Sequence, residues 1–170
     1  MSKFKPSQNV GDLKFNPGAR ESNTLTFPAT GDATQGDYIM LYNAAGTSYA
    51  VWLDIDADGT APTGTLYTGS DNQIEVDIAT GDTAAQVGTK AYNALNGNVT
   101  DISFTDNADG TLAMAVSDVG NASDAVPKNA DDSGAGSISS SASDGSSASF
   151  PYESPNDSPT ARKMVPDIYS

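Results

Sequence analysis

The stretch DIDADG, residues 54–59, carries side-chain oxygens in a pattern that could bind calcium. Asp54, Asp56, Asp58 and the glycine that follows match the first half of an EF-hand loop, in which alternate carboxylates converge on the ion. The second half does not match, because a twelve-residue loop that starts at Asp54 ends at Thr65, where a bidentate Glu is required. We therefore interpret the stretch as a turn, with a weak surface cation site on the three aspartates as the alternative.

The tetrapeptide ADGT occurs twice, at 57–60 and at 108–111. Asp-Gly is a strong signal for a tight turn, and a turn accounts for both copies. Asp131 and Asp132, in KNADDSGAG, are interpreted in the same way, as part of a capped turn.

The residue types available for catalysis are few. The chain has no Cys and no His, which excludes thiol nucleophiles, histidine bases and the usual zinc ligands. Phosphate-binding glycine loops and nucleophile elbows are also absent from the sequence. Lys90 falls on the polar side of a predicted helix, outside the desolvated pocket that a catalytic lysine needs. The sequence thus predicts no catalytic residue, no cofactor and no enzymatic activity.

Strand-like segments alternate with turn signals from about residue 22 to 140. Leu25 and Phe27 share one face of SNTLTFPA. The segment DYIMLYN (37–43) is apolar on both faces, and a short loop around Gly46 links it to YAVWLDI (49–55). In QIEVDI (73–78), apolar and polar residues alternate, which indicates a strand with one buried and one wet face.

The period changes to that of a helix in TGDTAAQVGTKAYNALNG, residues 80–97. Small apolar residues recur at helical spacing, Thr83 and Gln86 form a capping box, and Gly97 stands at a C-terminal stop. VTDISFT and TLAMAVS then flank DNADG as a hairpin. We expect an α+β fold, in which a mainly antiparallel β-sheet carries one amphipathic helix packed on a face, with extended N- and C-terminal arms.

The chain is expected to divide into an arm (1–21), an α+β body (22–140) and a Ser/Pro-rich arm (141–170). The segment from 133 onward is rich in Ser, Gly and Ala, and then in proline with scattered aromatic residues. Such segments cannot bury a core alone, but they can place anchors in the grooves of a partner. The first ten residues lack the apolar stretch of a secretory signal, and no run is long enough to span a bilayer.

Charge is distributed unevenly along the chain. The whole sequence carries −14, whereas residues 1–20 hold four basic side chains against one acidic. An acidic body with weakly basic ends does not match nucleic acid or an anionic membrane, and it suits ends that dock on an acidic neighbour. The expected interface residues are Lys3, Lys5, Phe15, Arg20, Trp52, Phe150, Tyr152, Arg162, Lys163, Ile168 and Tyr169. Trp52 could equally fill a second core.

Three blocks together carry a resemblance to a known family. They are GDYIMLYNAAGTSYAVWLDIDADGTAPTGTLYTG, TAAQVGTKAYNAL, and DNADGTLAMAV with VPKNADDSGAGSI. In this order they resemble a domain that recurs in structural proteins of tailed-bacteriophage virions. The resemblance covers roughly residues 31–138, and the two ends lie outside it.

The resemblance implies an assembly role in a virion, with the protein made in the host cytoplasm. We expect a decoration or cement subunit on the phage head that binds the major capsid protein, other virion proteins or copies of itself, as a homo-oligomer in the particle. A tail-tube, connector or fibre-attachment subunit is the alternative within this class. From another class, a secreted or surface β module supported by calcium is a further alternative.

Overall fold

The computed structural model describes residues 17–146. Residues 18–146 belong to one compact unit. Residues 1–16 and 147–170, which include most of the predicted arms, lie outside the described residues. No helix between residues 17 and 146 is long and apolar enough to cross a bilayer.

The described residues fold as α+β, as the sequence predicts, with mainly antiparallel strand pairs. The strands are β1 (Arg20–Thr26), β2 (Tyr38–Tyr42), β3 (Ser48–Ile55), β4 (Asn72–Ile78), β5 (Ile102–Asp106), β6 (Thr111–Val119), β7 (Val126–Lys128) and β8 (Ser139–Ser143). The helices are α1 (Thr65–Thr68) and α2 (Ala84–Leu95), with a 3-10 turn at Thr30–Asp32.

Within residues 17–146 the strands form two four-stranded sheets instead of the single sheet expected. The first has the order β5-β6-β1-β8 and is antiparallel throughout. It contains the predicted hairpin, in which β5 and β6 flank DNADG. The second has the order β4-β3-β2-β7, and it contains the predicted hairpin of β2 and β3.

The pairing of β3 with β4 is parallel, unlike the other strand pairs of the described chain. Parallel neighbours need a crossover connection. Here the crossover runs through residues 56–71 and includes α1. The alternation predicted for β4 is confirmed, because Ile74, Val76 and Ile78 are buried while the residues between them are exposed.

Helix α2 begins with the predicted capping box. The backbone N–H of Gln86 donates to Thr83 Oγ1 at 3.4 Å, and the backbone N–H of Thr83 donates to Gln86 Oε1 at 2.9 Å. The helix packs against β4 of one sheet and β5 and β6 of the other. Small residues allow this close approach, since a Cβ on buried Gly88 would lie 3.0 Å from the Cα of Gly110 in the β5–β6 turn.

The main core lies where the two sheets and α2 meet. It includes Leu25 of β1, Leu41 of β2, Val51 of β3, Leu95 of α2 and Met114 of β6, each at most 1% exposed. Strands from both sheets contribute to the same cluster of buried side chains, so the sheets and the helix stabilise one another.

The body extends further at both ends than the sequence indicates. Arg20 and Glu21, which were assigned to the first arm, belong to β1. The serine-rich residues 141–143, assigned to the second arm, belong to β8, which pairs with β1 from Ser22↔Ser143 to Thr26↔Ser139. Composition did not indicate this strand, because its stability comes from backbone pairing with β1 and its side chains are mostly exposed.

Candidate functional site

The Asp54–Asp58 turn is held together by a glutamine amide. Asp54 lies at the end of β3 and is 1% exposed. Its Oδ1 accepts a hydrogen bond from Gln35 Nε2 at 2.9 Å, and the same nitrogen donates to Asp58 Oδ1 at 2.9 Å. The other end of that amide, Gln35 Oε1, accepts from the backbone N–H of Ile55 at 2.6 Å. An N–H donor therefore stands where a cation would have to bind both aspartates.

Asp56 makes its hydrogen bonds elsewhere. Its carboxylate accepts from Thr80, from the backbone N–H at 2.7 Å and from Oγ1 at 2.6 Å. These bonds hold the pKa of Asp56 below its usual range, and the bond from the Thr80 side chain has the larger effect. Asp56 and Ala57 both have positive φ, 58° and 53°, as the central residues of a tight turn require. The stretch is thus a turn, and its three aspartates do not converge.

A different acidic group forms around Asp54. Oxygens of Asp54, Glu75 and Asp77 lie within 4.8 Å of one another, since β3 and β4 pair Asp54 with Asp77. The pKa of Glu75 is raised, first by a hydrogen bond with Asp77 and then by burial and the negative charges nearby. Asp54 is already bonded to Gln35 and to the backbone N–H of Gly59. Internal hydrogen bonds therefore satisfy Asp54, whereas Glu75 and Asp77 are exposed.

Trp52 does not lie in an exposed interface within the described protein. It is 4% exposed and packs in a second cluster with Tyr38, Met40, Ala50 and Tyr67. The ring centroids of Trp52 and Tyr67 are 6.4 Å apart, edge to face. Helix α1 carries Tyr67 and covers this side of the second sheet. The assignment of Trp52 to the interface was wrong, and its alternative, a second core, is what the structure shows.

Asp132 holds α1 in place over this cluster. Its Oδ2 accepts from the backbone N–H of Leu66 at 2.9 Å and from Thr65 Oγ1 at 3.3 Å, and its Oδ1 accepts from the Tyr38 hydroxyl. Burial, and then the bond to Asp132, raise the pKa of Tyr38. Burial favours the neutral form of Asp132. The hydrogen bonds that it accepts from Tyr38 and from Leu66 and Thr65 at the start of α1 nevertheless hold its pKa below its usual range. The capped turn predicted around Asp131 and Asp132 therefore anchors a helix.

Arg20 is the other predicted interface residue that the structure describes. It lies in β1 and is exposed, so it is accessible on the body. The remaining predicted interface residues lie outside residues 17–146: Lys3, Lys5, Phe15, Phe150, Tyr152, Arg162, Lys163, Ile168 and Tyr169.

The two ends of the described chain lie side by side. The backbone N–H of Ala19 donates to Ser146 O at 2.9 Å, and that of Ser146 donates to Ala19 O at 2.8 Å. Gly120 joins them, because its N–H donates to Ala19 O at 3.0 Å. A Cβ on Gly145 would collide with the Gly120 carbonyl oxygen, so only glycine fits there. We call residues 18–21, 120–125 and 144–146 the junction.

Two buried polar residues, one in the junction and one just beyond it in β1, were missed by the sequence analysis. Glu21 is fully buried and Asn23 is 3% exposed. One signal was present: Glu21 and Asn23 continue the two-residue period of Leu25 and Phe27, which places them on the inward face of β1. Their partners from residues 120–125 and 144–146 are more than ninety residues away in sequence and gave no signal.

Comparisons with known proteins add no relative: no family model, no curated protein and no solved structure matches the chain.

Proposed function

We propose that this protein is a non-enzymatic structural protein of a tailed-phage virion, a decoration or cement subunit of the head. In this role its acidic body faces outward, and its two terminal arms bind neighbouring virion proteins. The three sequence blocks that, in this order along the chain, resemble a recurring virion domain support the assignment to virion structural proteins. The observation that carries the assembly mechanism is the pairing of Ala19 with Ser146.

This pairing means that both arms begin from one place on the body. Once one arm has bound a neighbour, the other is held close to the same particle surface, and its binding becomes effectively intramolecular. Two individually weak segments can then hold the subunit tightly. The ends of the chain contain both basic and aromatic residues, which suit contacts with acidic and apolar patches of a neighbour.

The body supports the proposal through its charge. The positive charge of the chain is concentrated towards its ends, so the rest of the sequence is more acidic than the overall −14. Negative charge keeps a densely displayed surface protein soluble and limits association between bodies.

The test is to measure binding to particles that lack this subunit. Full-length protein and two truncated forms, lacking residues 1–16 or 147–170, are mixed with the particles, and the number of bound copies is determined against concentration. Each truncation should weaken binding by at least about tenfold, because avidity from two linked segments commonly exceeds the affinity of one by 10²–10⁴. Circular dichroism and thermal unfolding should show the same folded body in all forms.

A charge-matched control separates arm contacts from general electrostatics. Arg162→Gln with Lys163→Gln removes two positive charges from an arm, whereas Lys90→Gln with Lys128→Gln removes two from the body. The arm variant should bind less tightly and depend less on salt, and the body variant should bind like the wild type. Truncated forms that bind as tightly as the whole chain would show that the arms do not drive assembly. Binding to tails and not to heads would favour the tail-tube, connector or fibre-attachment alternative.

A further inference from the structure

Strand β4 lies at the open edge of the second sheet. It pairs with β3 along its whole length, from Tyr49↔Asn72 to Ile55↔Ile78, and within residues 17–146 no strand pairs with its other side. It has seven residues, whereas the other edge strands β5, β7 and β8 have five, three and five. An edge of this kind presents backbone N–H and C=O groups that can pair with another strand.

A groove runs beside this edge. A cavity of about 400 Å³ lies between β4 and the end of α2, and it is lined by Asn72, Gln73, Ile74, Glu75, Ala94 and Asn98. Ile74 and Ala94 give the groove an apolar part next to the edge. A strand added to β4 would therefore find room for one of its side chains on the face that carries α2.

The opposite face of the edge is acidic. Glu75 and Asp77 are exposed and two positions apart, and Asp54 on β3 adds a third carboxylate within 4.8 Å. The ion pair found in the described part of the chain joins Lys90 to Asp82, so no basic side chain there pairs with Glu75 or Asp77. Like charges directly opposite each other destabilise strand pairing, whereas opposite charges stabilise it. The edge therefore disfavours pairing with β4 of a second copy and favours a basic strand.

The sequence contains one segment with the matching pattern. Lys3 and Lys5 are the only two basic residues of the chain that are two positions apart, and they flank Phe4. In an extended strand both lysines lie on one face and the phenylalanine lies on the other. Pro6 follows, and proline is tolerated at the edge of a sheet because it need not donate to a neighbour there.

We propose that residues 2–6 of one copy bind as an added strand along the open edge of β4 in a second copy. The two lysines then lie opposite Glu75 and Asp77. Phe4 lies on the other face and enters the groove beside Ile74. Backbone hydrogen bonds supply affinity in this kind of strand addition, and the alternating side chains supply specificity.

The contact joins two different surfaces of the chain, so each copy can give one segment and receive another. Such head-to-tail contacts close into rings where the rotation between copies allows it. The inference names the neighbour of one terminal arm and rests on the proposed function in that respect. Its test needs purified protein alone. A failed test with intact binding to particles would overturn this inference and leave the proposed function standing.

The experiment is disulfide cross-linking of full-length protein, which has no cysteine of its own. Donor chains carry Ser7→Cys. Acceptor chains carry Gln73→Cys, which lies opposite residue 7 in the antiparallel register, or Ala79→Cys, which lies opposite it in the parallel register. Residues directly opposite across strands have Cβ atoms about 4.5–5.5 Å apart, close enough for a disulfide after a small adjustment.

The matched control is Ser103→Cys, which is exposed on the edge strand β5 of the other sheet. Acceptors carry an affinity tag, so that a donor–acceptor pair differs in size from pairs of like chains. One of the two β4 positions should form at least about tenfold more donor–acceptor disulfide than Ser103→Cys, because only a register-matched pair is held at bonding distance.

Reversal of charge tests the pairing of lysines with carboxylates. Acceptors with Glu75→Lys and Asp77→Lys should cross-link to the donor roughly tenfold less, because two attractive pairs become repulsive. Donors with Lys3→Glu and Lys5→Glu should restore the cross-link to these acceptors, which a misfolded acceptor would not allow. Circular dichroism and thermal unfolding check that each acceptor is folded.

Three results would overturn the proposal. The first is a cross-link at both β4 positions that does not exceed the Ser103→Cys control. The second is a cross-link that the reversed acceptor does not weaken, or that the reversed donor does not restore. The third comes from a chain that carries both Ser7→Cys and the reactive β4 cysteine: disulfides formed only within single chains would place the segment on its own body, whereas the proposal expects linked copies.

Discussion

Leu95→Ala tests whether α2 is packed as described. Leu95 is fully buried at the end of α2, in the core shared by both sheets. Replacing a buried leucine by alanine removes its transfer free energy and leaves a cavity, at a cost of about 2–4 kcal/mol. Helix propensity changes little, because both residues are good helix formers. The entropy of unfolding is about 2.1 cal/mol/K per residue, and the body has roughly 130 residues. Dividing a loss of ~3 kcal/mol in the free energy of unfolding by this total entropy gives a fall of about 11 °C in Tm.

The matched control on the same helix is Lys90→Ala. The Lys90 side chain is 40% exposed and makes an ion pair with Asp82 at 2.6 Å. Exposed pairs of this kind contribute little, so the substitution should cost about 0.5 kcal/mol or less. Urea unfolding at equilibrium, followed by circular dichroism, measures both variants, and an unchanged m-value shows that the difference is one of stability. Equal losses in the two variants would mean that α2 does not bury the face assigned to it.

Three further predictions concern particular residues. Gly88→Ala should destabilise the body by about 1 kcal/mol in urea unfolding, because overpacking against the β5–β6 turn costs about 1–3 kcal/mol and outweighs a helix-propensity gain of about 1 kcal/mol. The control Asn93→Ala, on the exposed face of α2, should be neutral or stabilising. A Gly88→Ala variant more stable than the wild type would contradict the close contact. Hydrogen bonds from Thr80 lower the pKa of Asp56 in the folded protein. These bonds therefore stabilise the fold at any pH above the ordinary pKa range of aspartate, and their contribution is lost as the pH falls through the lowered pKa of the folded state. Asp56→Asn should therefore be less stable than the wild type at about pH 7, with a difference that narrows towards about pH 3; a constant difference would refute this. Trp52 is the sole tryptophan of the sequence, so tryptophan emission should be blue-shifted and poorly quenched by iodide until the protein unfolds; efficient quenching of the folded protein would place it on the surface.

The features that the sequence predicted well are those with local causes. The capping box of Thr83 and Gln86 involves residues three apart, and the alternation of β4 follows from one buried face. Both ADGT copies do lie where the chain reverses, although the first turn is centred on Asp56 and Ala57, and Gly59 and Gly110 supply the positive φ values that glycine adopts readily. In each case a short segment contains the whole physical reason for its structure.

The features that the sequence did not predict depend on distant partners. The serines of β8 pack little apolar surface, and only pairing with β1 makes them a strand. The apolar character of Trp52 was visible, but the helix that covers it is held by Asp132, eighty residues later. The buried Glu21 accepts a hydrogen bond from the backbone of Gly145, 124 positions away, so only the folded chain brings the two together.

The central claim, that the protein is a head decoration subunit, is tested most directly by locating it on the particle. Antibodies against the acidic body, detected with gold in electron microscopy of purified particles from the phage proposed to carry this gene, give that location. We predict label distributed over the outside of the head in many copies, and none on particles that lack the gene for this chain. Label confined to the tail would contradict the head assignment, and intact particles without label would contradict the virion role.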